Sequence, residues 1–132
     1  MLTDNVAVVD SPVAKGTGNQ VTAEQIALWD PEFVVFAPDS IYHTAARSDL
    51  WSHVTGIAAG NYVQVPDTPH NWMGMPPSVQ RYLGLIWLTA QLYPDYCDYD
   101  AQEEIREYYR LFYGCELTAQ QYEALTEGAF RK

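Results

Sequence analysis

Three histidines are the residues of this sequence whose chemistry would most readily serve a metal site. Two aspartates and a tyrosine are further candidate ligands, which gives the set His43, His53, His70, Asp39, Asp67 and Tyr42. No two histidines stand four apart on a predicted helix, and no HxH or HxxxH motif occurs. The sequence therefore predicts no closed metal site. A small metal-dependent enzyme would require these histidines to converge with carboxylates.

Other catalytic patterns are also missing from the sequence. There is no G-x-S-x-G motif, and Gly16-Thr17-Gly18 lacks the glycine and lysine that follow in a nucleotide-binding loop. Cys97 and Cys115 flank a predicted helix of residues 101–113. The ends of such a helix lie roughly 18 Å apart, well beyond the roughly 7 Å Cα separation that a disulfide tolerates. We therefore expect two free thiols, no catalytic residues and no resident cofactor.

The charge balance limits the partners of this chain. Seventeen acidic against seven basic residues give a formal net charge of -10 in 132 residues. Such a chain repels phosphate backbones and anionic lipid headgroups, so nucleic acid is disfavoured as a partner. No apolar run approaches the roughly 18 residues of a membrane span, and the first residues lack the basic start and apolar core of an export signal.

The elements that must position these residues alternate between helix and strand. Residues 1–20 predict an irregular lead-in, with at most a short strand at residues 6–9. Thr22 and Gln25 form a capping box for a short helix, which Asp30 before Pro31 ends. The apolar residues 33–37 predict a strand buried on both faces, and residues 62–65 predict a second strand. One or two short helices lie between them, so the order is that of an α/β domain.

Three helices follow the second predicted strand, and their capping residues are Ser78, Asp100 and Thr118. The first helix carries apolar residues on almost every side, which predicts that it is buried. The second is amphipathic and ends at Gly114, and the third runs to about residue 127. The polar face of the second helix offers two pairs at helical spacing, Glu103 with Arg106 and Glu107 with Arg110.

Several motifs in this order resemble one family of binding proteins. They are the helix-strand pair "EQIALWDPEFVV", the strand "GNYVQVP", the aromatic loop before "PPSVQRYLGLIWL", and the "YP" that ends that helix. Together they resemble the C-terminal lobe of the periplasmic binding proteins that serve ABC importers of iron siderophores, haem and cobalamin. The resemblance covers residues 5–125. It implies two α/β lobes joined by a long helix, with the ligand held in the cleft between the lobes.

The resemblance implies an architecture for the chain as a whole. Residues 21–132 would be the C-terminal α/β lobe of a class III (helix-hinged) periplasmic binding protein, with a short, mostly parallel sheet flanked by helices. The N-terminal lobe and the linking helix have no counterpart in the sequence, so we expect half a cleft and weak or absent ligand binding by this chain. An unpaired strand edge would favour a homo-oligomer.

The resemblance also implies ligand-binding residues. The loop before the "PPS" helix lines the cleft in this family, so Trp72 would form an exposed wall that stacks on a flat chelate. Met73 and Met75 would extend that polarizable surface, and His70 and Asn71 would hydrogen-bond the ligand's periphery. Tyr42 follows the first strand, where ligands of open α/β sheets gather. The alternatives are a core position for Trp72 and a packed surface position for Tyr42.

The family docks on its permease through exposed acidic residues. The usual acid of the aromatic loop is replaced here by Met73-Gly74-Met75, so Asp67 and Glu32 are the candidate docking residues. The implied function is non-catalytic capture of a chelated iron complex, haem or a corrinoid outside the cytoplasm, followed by delivery to the permease. The alternative is an interaction or assembly module that keeps the fold without transport.

Overall fold

The computed structural model describes residues 3–9, 19–74 and 76–131. These residues form two compact units, the first ending at Val63 and the second covering Gln64–Arg131. Residues 3–9 contain no strand, so the short strand that the sequence left possible at residues 6–9 does not form. Met75, a candidate ligand-binding residue, lies outside the described residues.

The first unit begins with helix α1, Ala23–Trp29. The Thr22 hydroxyl accepts a hydrogen bond from the backbone N–H of Gln25 at 3.2 Å, which confirms the cap and is one of the two bonds of the predicted capping box. The helix ends at Asp30, whose φ of 39° is left-handed. The Asp30 carboxylate accepts bonds from the Thr55 amide and hydroxyl, each at 2.7 Å, and thereby ties the end of α1 to helix α2, Thr55–Ala58.

Strands β1, Val34–Phe36, and β2, Tyr62–Gln64, form a two-stranded parallel sheet. Phe36 lies in a core cluster and Val34 packs against it. Val35, which stands between them, is 40% exposed. The prediction of a strand buried on both faces is therefore wrong. Successive side chains of a strand point to opposite faces, and only one face of β1 is packed against the cluster.

Short helical segments fill the chain between the two strands. Two 3-10 turns, Ala45–Arg47 and Trp51–His53, precede α2. Their apolar residues complete a core with the strands, and its buried members are Phe36, Tyr42, Ala45, Val54 and Ile57. The aromatic rings of this core meet edge to face, with Phe36 and Tyr62 centroids 6.0 Å apart.

The second unit is built around helix α3, Arg81–Leu92. Ser78 does not cap it, because the Ser78 hydroxyl accepts from the Gln80 amide and Gln80 itself is the residue preceding the helix. The predicted burial on all sides is also wrong. Leu83 and Trp87 are buried, whereas Leu85 on the opposite side is 66% exposed. One face of α3 is therefore left apolar and open.

Helix α4, Ala101–Tyr113, matches its predicted caps. The Asp100 carboxylate accepts from two backbone amides of the first turn, and Gly114 ends the helix with a φ of 63°. Glu107 pairs with Arg110 as predicted. Arg106 instead donates to the Leu117 carbonyl, so the predicted Glu103 partner is wrong. A backbone carbonyl at the following turn offers a fixed acceptor, whereas an exposed acid on the helix face stays solvated.

The last helix, α5, is Ala119–Leu125. Thr118 and Gln121 form the complete capping box that the sequence predicts. Cys97 and Cys115 are free thiols, as expected from the helix between them. Among residues 3–9, 19–74 and 76–131, no helix has the length and apolar content to cross a membrane.

Candidate functional site

The segment between β2 and α3 is held in place by hydrogen bonds to its own backbone. Trp72 donates its amide to the Pro66 carbonyl at 3.0 Å and its indole N–H to the Thr68 carbonyl at 3.4 Å. The Tyr109 hydroxyl donates to the same Thr68 carbonyl at 2.8 Å. Burial raises the pKa of Tyr109 to about 12, so its phenol stays protonated and remains a donor. Helix α4 therefore anchors this loop, which we call the aromatic loop, residues 66–74.

Asn71 shapes the end of the aromatic loop. Its side-chain oxygen accepts hydrogen bonds from the amides of Met73, at 2.9 Å, and Gly74. That oxygen is therefore committed to a local turn, whereas the sequence suggested that it would face a ligand. Asp67, His70 and Met73 are the candidate residues of this loop that solvent reaches freely.

The expected exposure of Trp72 is wrong, because the side chain has 0% of its surface exposed. Its ring packs edge to face on Trp87 of α3, with centroids 6.4 Å apart. The loop can approach the helix this closely because position 84 is glycine. A Cβ at Gly84 would lie 2.2 Å from the Trp72 carbonyl oxygen and 2.8 Å from the Met73 sulfur. The core position that the sequence left as an alternative is the one observed.

A groove of 480 Å³ runs along the open face of α3 beside the aromatic loop. Most of its lining is apolar, and the side chains in it that carry a charge or a hydroxyl are those of Arg81, Thr89 and Tyr93. The lining residues are Trp72, Met73, Arg81, Gly84, Leu85, Leu88, Thr89, Leu92 and Tyr93. Arg81 stands at the start of the helix and donates to the Gly74 carbonyl at 3.4 Å. The groove therefore has an apolar wall with one cationic group at the end where α3 begins.

The groove was not predicted, although the sequence contains a signal for it. Arg81, Leu85, Leu88 and Leu92 recur at helical spacing, which places them on one face of α3. Because apolar residues also occur on the other side of the helix, the sequence pattern alone predicts burial of the whole helix. Only the packing of Leu83 and Trp87 against the rest of the unit distinguishes the two faces.

Tyr42 lies in the first unit and is 4% exposed. Its ring packs on Phe36 and Tyr62, with centroid separations of 6.1 Å and 5.4 Å, so it is a core residue and not an exposed binding residue. The expectation of an accessible phenol is therefore wrong. Aromatic rings that flank the two strands close over this position.

The histidines are exposed and belong to different parts of the fold. His43 and His53 lie in the first unit, and His70 lies in the aromatic loop of the second. Within the described part of the chain, no three His, Cys, Asp or Glu residues are grouped closely enough to hold a metal ion. The candidate docking residues Glu32 and Asp67 are both exposed.

Comparison with known proteins shows that this chain is similar to proteins of known structure. A scan of the sequence against protein families gives no match. No curated protein sequence matches the chain either.

Two solved structures share the fold of this chain. The first is an ABC transporter solute binding protein from Sulfurospirillum deleyianum DSM 6946, with 32% sequence identity and a TM-score of 0.75 over 80% of the chain. The second is a periplasmic solute binding protein from Veillonella parvula DSM 2008, with 22% identity and a TM-score of 0.75 over 85% of the chain. The matched regions are 33% and 36% of those proteins, so the chain spans about a third of each.

The chain thus has the fold of the periplasmic solute-binding proteins, as the resemblance of its motifs implied. Its helix-rich architecture with a short parallel sheet corresponds to about one lobe of such a protein. One of the two similar structures is a solute binding protein of an ABC transporter, and the other is a periplasmic solute binding protein.

Proposed function

We propose that this chain is the C-terminal lobe of the substrate-binding component of an ABC importer. The observation that carries the proposal is the 32% identity and TM-score of 0.75 with an ABC transporter solute binding protein. Its role is non-catalytic: the protein captures a small molecule outside the cytoplasm and delivers it to the membrane permease. Permease docking is assigned to the exposed acids Glu32 and Asp67.

The proposed ligand is a chelated iron complex, haem or a corrinoid. This assignment is supported by the sequence motifs, among them "GNYVQVP" and "PPSVQRYLGLIWL", which resemble the importers of metal chelates. In a chelate the ligand brings most of the metal coordination, so the protein needs a surface for the organic periphery and not a closed set of metal ligands. His70 and Met73 are the exposed residues of the aromatic loop that supply such a surface.

The burial of Trp72 changes the role that we assign to it. With no exposed surface and with hydrogen bonds to Pro66 and Thr68, Trp72 fixes the loop and does not offer a stacking face. We therefore propose that Trp72 positions His70 and Met73, which contact the ligand. Met75 keeps its proposed place as an extension of the same polarizable surface.

To test the ligand class, the natural gene product is titrated with haem, cobalamin and a ferric siderophore. Binding is monitored by tryptophan fluorescence. One of these chelates is expected to bind with a saturable signal, and inorganic ferric ion at the same concentration is not. The present chain alone is expected to bind more weakly than micromolar. A micromolar or tighter dissociation constant for this chain would contradict the expectation of half a cleft.

Matched variants locate the contact. His70→Ala removes an exposed imidazole in the aromatic loop, and His53→Ala removes one in the first unit. Loss of one hydrogen bond to the ligand is worth about 1 kcal/mol, so H70A should weaken binding about fivefold. The His53→Ala protein should bind like the unaltered protein. Equal affinities for the two variants would remove His70 from the proposed site.

A further inference from the structure

We propose that the groove along α3 binds an amphiphilic monoanion, a molecule with an apolar body and one negatively charged group. The apolar body would lie against the open face of the helix, and the charged group would pair with Arg81. The site is complete within the second unit, since all of its lining residues lie between positions 72 and 93. It therefore holds whether or not the chain serves an importer.

The apolar wall of the groove is accessible to solvent in the part of the chain that the structure describes. Leu85 is 66% exposed and Met73 is 39% exposed, and Leu88 and Leu92 line the same face as half-buried residues. Contiguous apolar surface of this kind is disfavoured in water and commonly marks a binding site. Covering it removes apolar surface from water, which is favourable. This wall therefore favours a ligand with an apolar body.

The charge of Arg81 selects an anion. Within the described residues the chain has one ion pair, and it joins Arg110 to Glu107. The Arg81 guanidinium donates a hydrogen bond to the Gly74 carbonyl at 3.4 Å and pairs with no carboxylate of residues 3–9, 19–74 and 76–131. In a chain with seventeen acidic residues, such an arginine at the end of an apolar groove attracts a negative group.

The size of the groove limits the body of the ligand. Its volume of 480 Å³ lies toward the smaller end of the range of about 300 to 1,000 Å³ that is typical of small-molecule sites. Because the groove is open along the helix, a flat or elongated body fits better than a bulky one. We therefore assign it to a small aromatic or short aliphatic compound that ends in one carboxylate or sulfonate.

Two fluorescent probes test the proposal on the present chain. 8-Anilinonaphthalene-1-sulfonate has an aromatic body and one sulfonate, and N-phenyl-1-naphthylamine has the same aromatic body without the charge. The sulfonate probe is expected to bind saturably with one site per chain, and more tightly than the neutral probe. Arg81→Gln should weaken the sulfonate probe about threefold or more at low salt and leave the neutral probe unchanged.

Matched controls separate the groove from other exposed surface. Arg47→Gln removes an exposed arginine of the first unit, and Leu111→Gln changes an exposed leucine of α4 that does not line the groove. Leu85→Gln should weaken both probes, whereas R47Q and L111Q should weaken neither. Arg81, Leu85 and both control residues are exposed, so these substitutions leave the core intact.

Four results would overturn the proposal. The first is absence of saturable binding of the sulfonate probe, and the second is binding that R81Q leaves unchanged. The third is an equal loss of affinity in R81Q and R47Q, which would show that only the net charge matters. Equal loss of both probes in R81Q would likewise remove the anion from the proposal.

Discussion

Gly84 is the position at which the packing of the aromatic loop on α3 can be tested most severely. In an ordinary helix interior, replacing glycine by alanine stabilises a protein by about 1 kcal/mol, because glycine loses more backbone freedom on folding. At Gly84 the new Cβ would lie 2.2 Å from the Trp72 carbonyl oxygen and 3.0 Å from its carbonyl carbon. A backbone atom cannot rotate away, so the loop or the helix must move. The Gly84→Ala substitution should therefore destabilise the protein.

The expected size of the effect follows from two opposing contributions. Overpacking in a close contact costs about 1 to 3 kcal/mol, and a backbone clash belongs at the upper end of that range. Subtracting the helix gain of about 1 kcal/mol leaves a net loss of about 2 kcal/mol in the free energy of unfolding. Urea unfolding of the G84A protein, followed by tryptophan fluorescence, measures this loss as a lower midpoint with an unchanged slope.

Two further variants identify the cause of the loss. Gly60→Ala places a Cβ in open space at a φ of 75°, so it carries only the cost of a left-handed alanine, roughly 1 kcal/mol. Met73→Ala removes the flexible sulfur that would lie 2.8 Å from the new Cβ but leaves the Trp72 carbonyl in place. It should not rescue G84A. A Gly84→Ala protein as stable as the natural one, or more stable, would refute the close approach of loop and helix.

Three other predictions concern stability and use urea unfolding as the measurement. Hydrogen bonds from Thr55 hold the pKa of Asp30 below its ordinary value, so their stabilisation is complete above that value and lost as pH falls through the lowered pKa. Asp30→Asn should therefore be less stable than the natural protein at pH 7 and should match it in strong acid, and a constant difference would contradict this. Trp87→Phe removes the buried donor to the Ala129 carbonyl and should cost about 1 to 3 kcal/mol, whereas a change below 0.5 kcal/mol, about the size of a surface effect, would argue against the bond. Thr118→Ala removes the cap of α5 and should cost about 1 kcal/mol, and Thr118→Ser should recover most of it if the hydroxyl is responsible.

The parts of the fold that depend on local sequence were predictable. The caps at Thr22, Asp100 and Thr118 are satisfied within three residues of the side chain concerned, so the sequence contains both partners. Gly114 ends α4 for an equally local reason, because its left-handed φ suits a residue without a Cβ. The motifs quoted above likewise identified the fold that the solved structures share.

The faces of the elements were not predictable in the same way. Val35 and Leu85 occur in apolar runs, and whether such a residue is buried depends on what packs against its side of the element. The same limit explains Trp72, which the sequence placed in an exposed loop. Its burial depends on contact with Gly84 and Trp87, which belong to helix α3 and not to the loop itself. The exposure of the candidate site residues therefore follows from tertiary packing and not from the sequence pattern.

The proposed delivery of a metal chelate to an ABC permease can be measured as uptake in the source organism. Cells in which the gene is deleted would be supplied with radioactive iron in siderophore and haem form and with labelled cobalamin. We expect loss of uptake of one of these compounds in the deletion strain. The natural gene should restore that uptake, and a gene in which Glu32 and Asp67 are both replaced by alanine should restore less of it. Unchanged uptake of all three compounds in the deletion strain would rule out the proposed function.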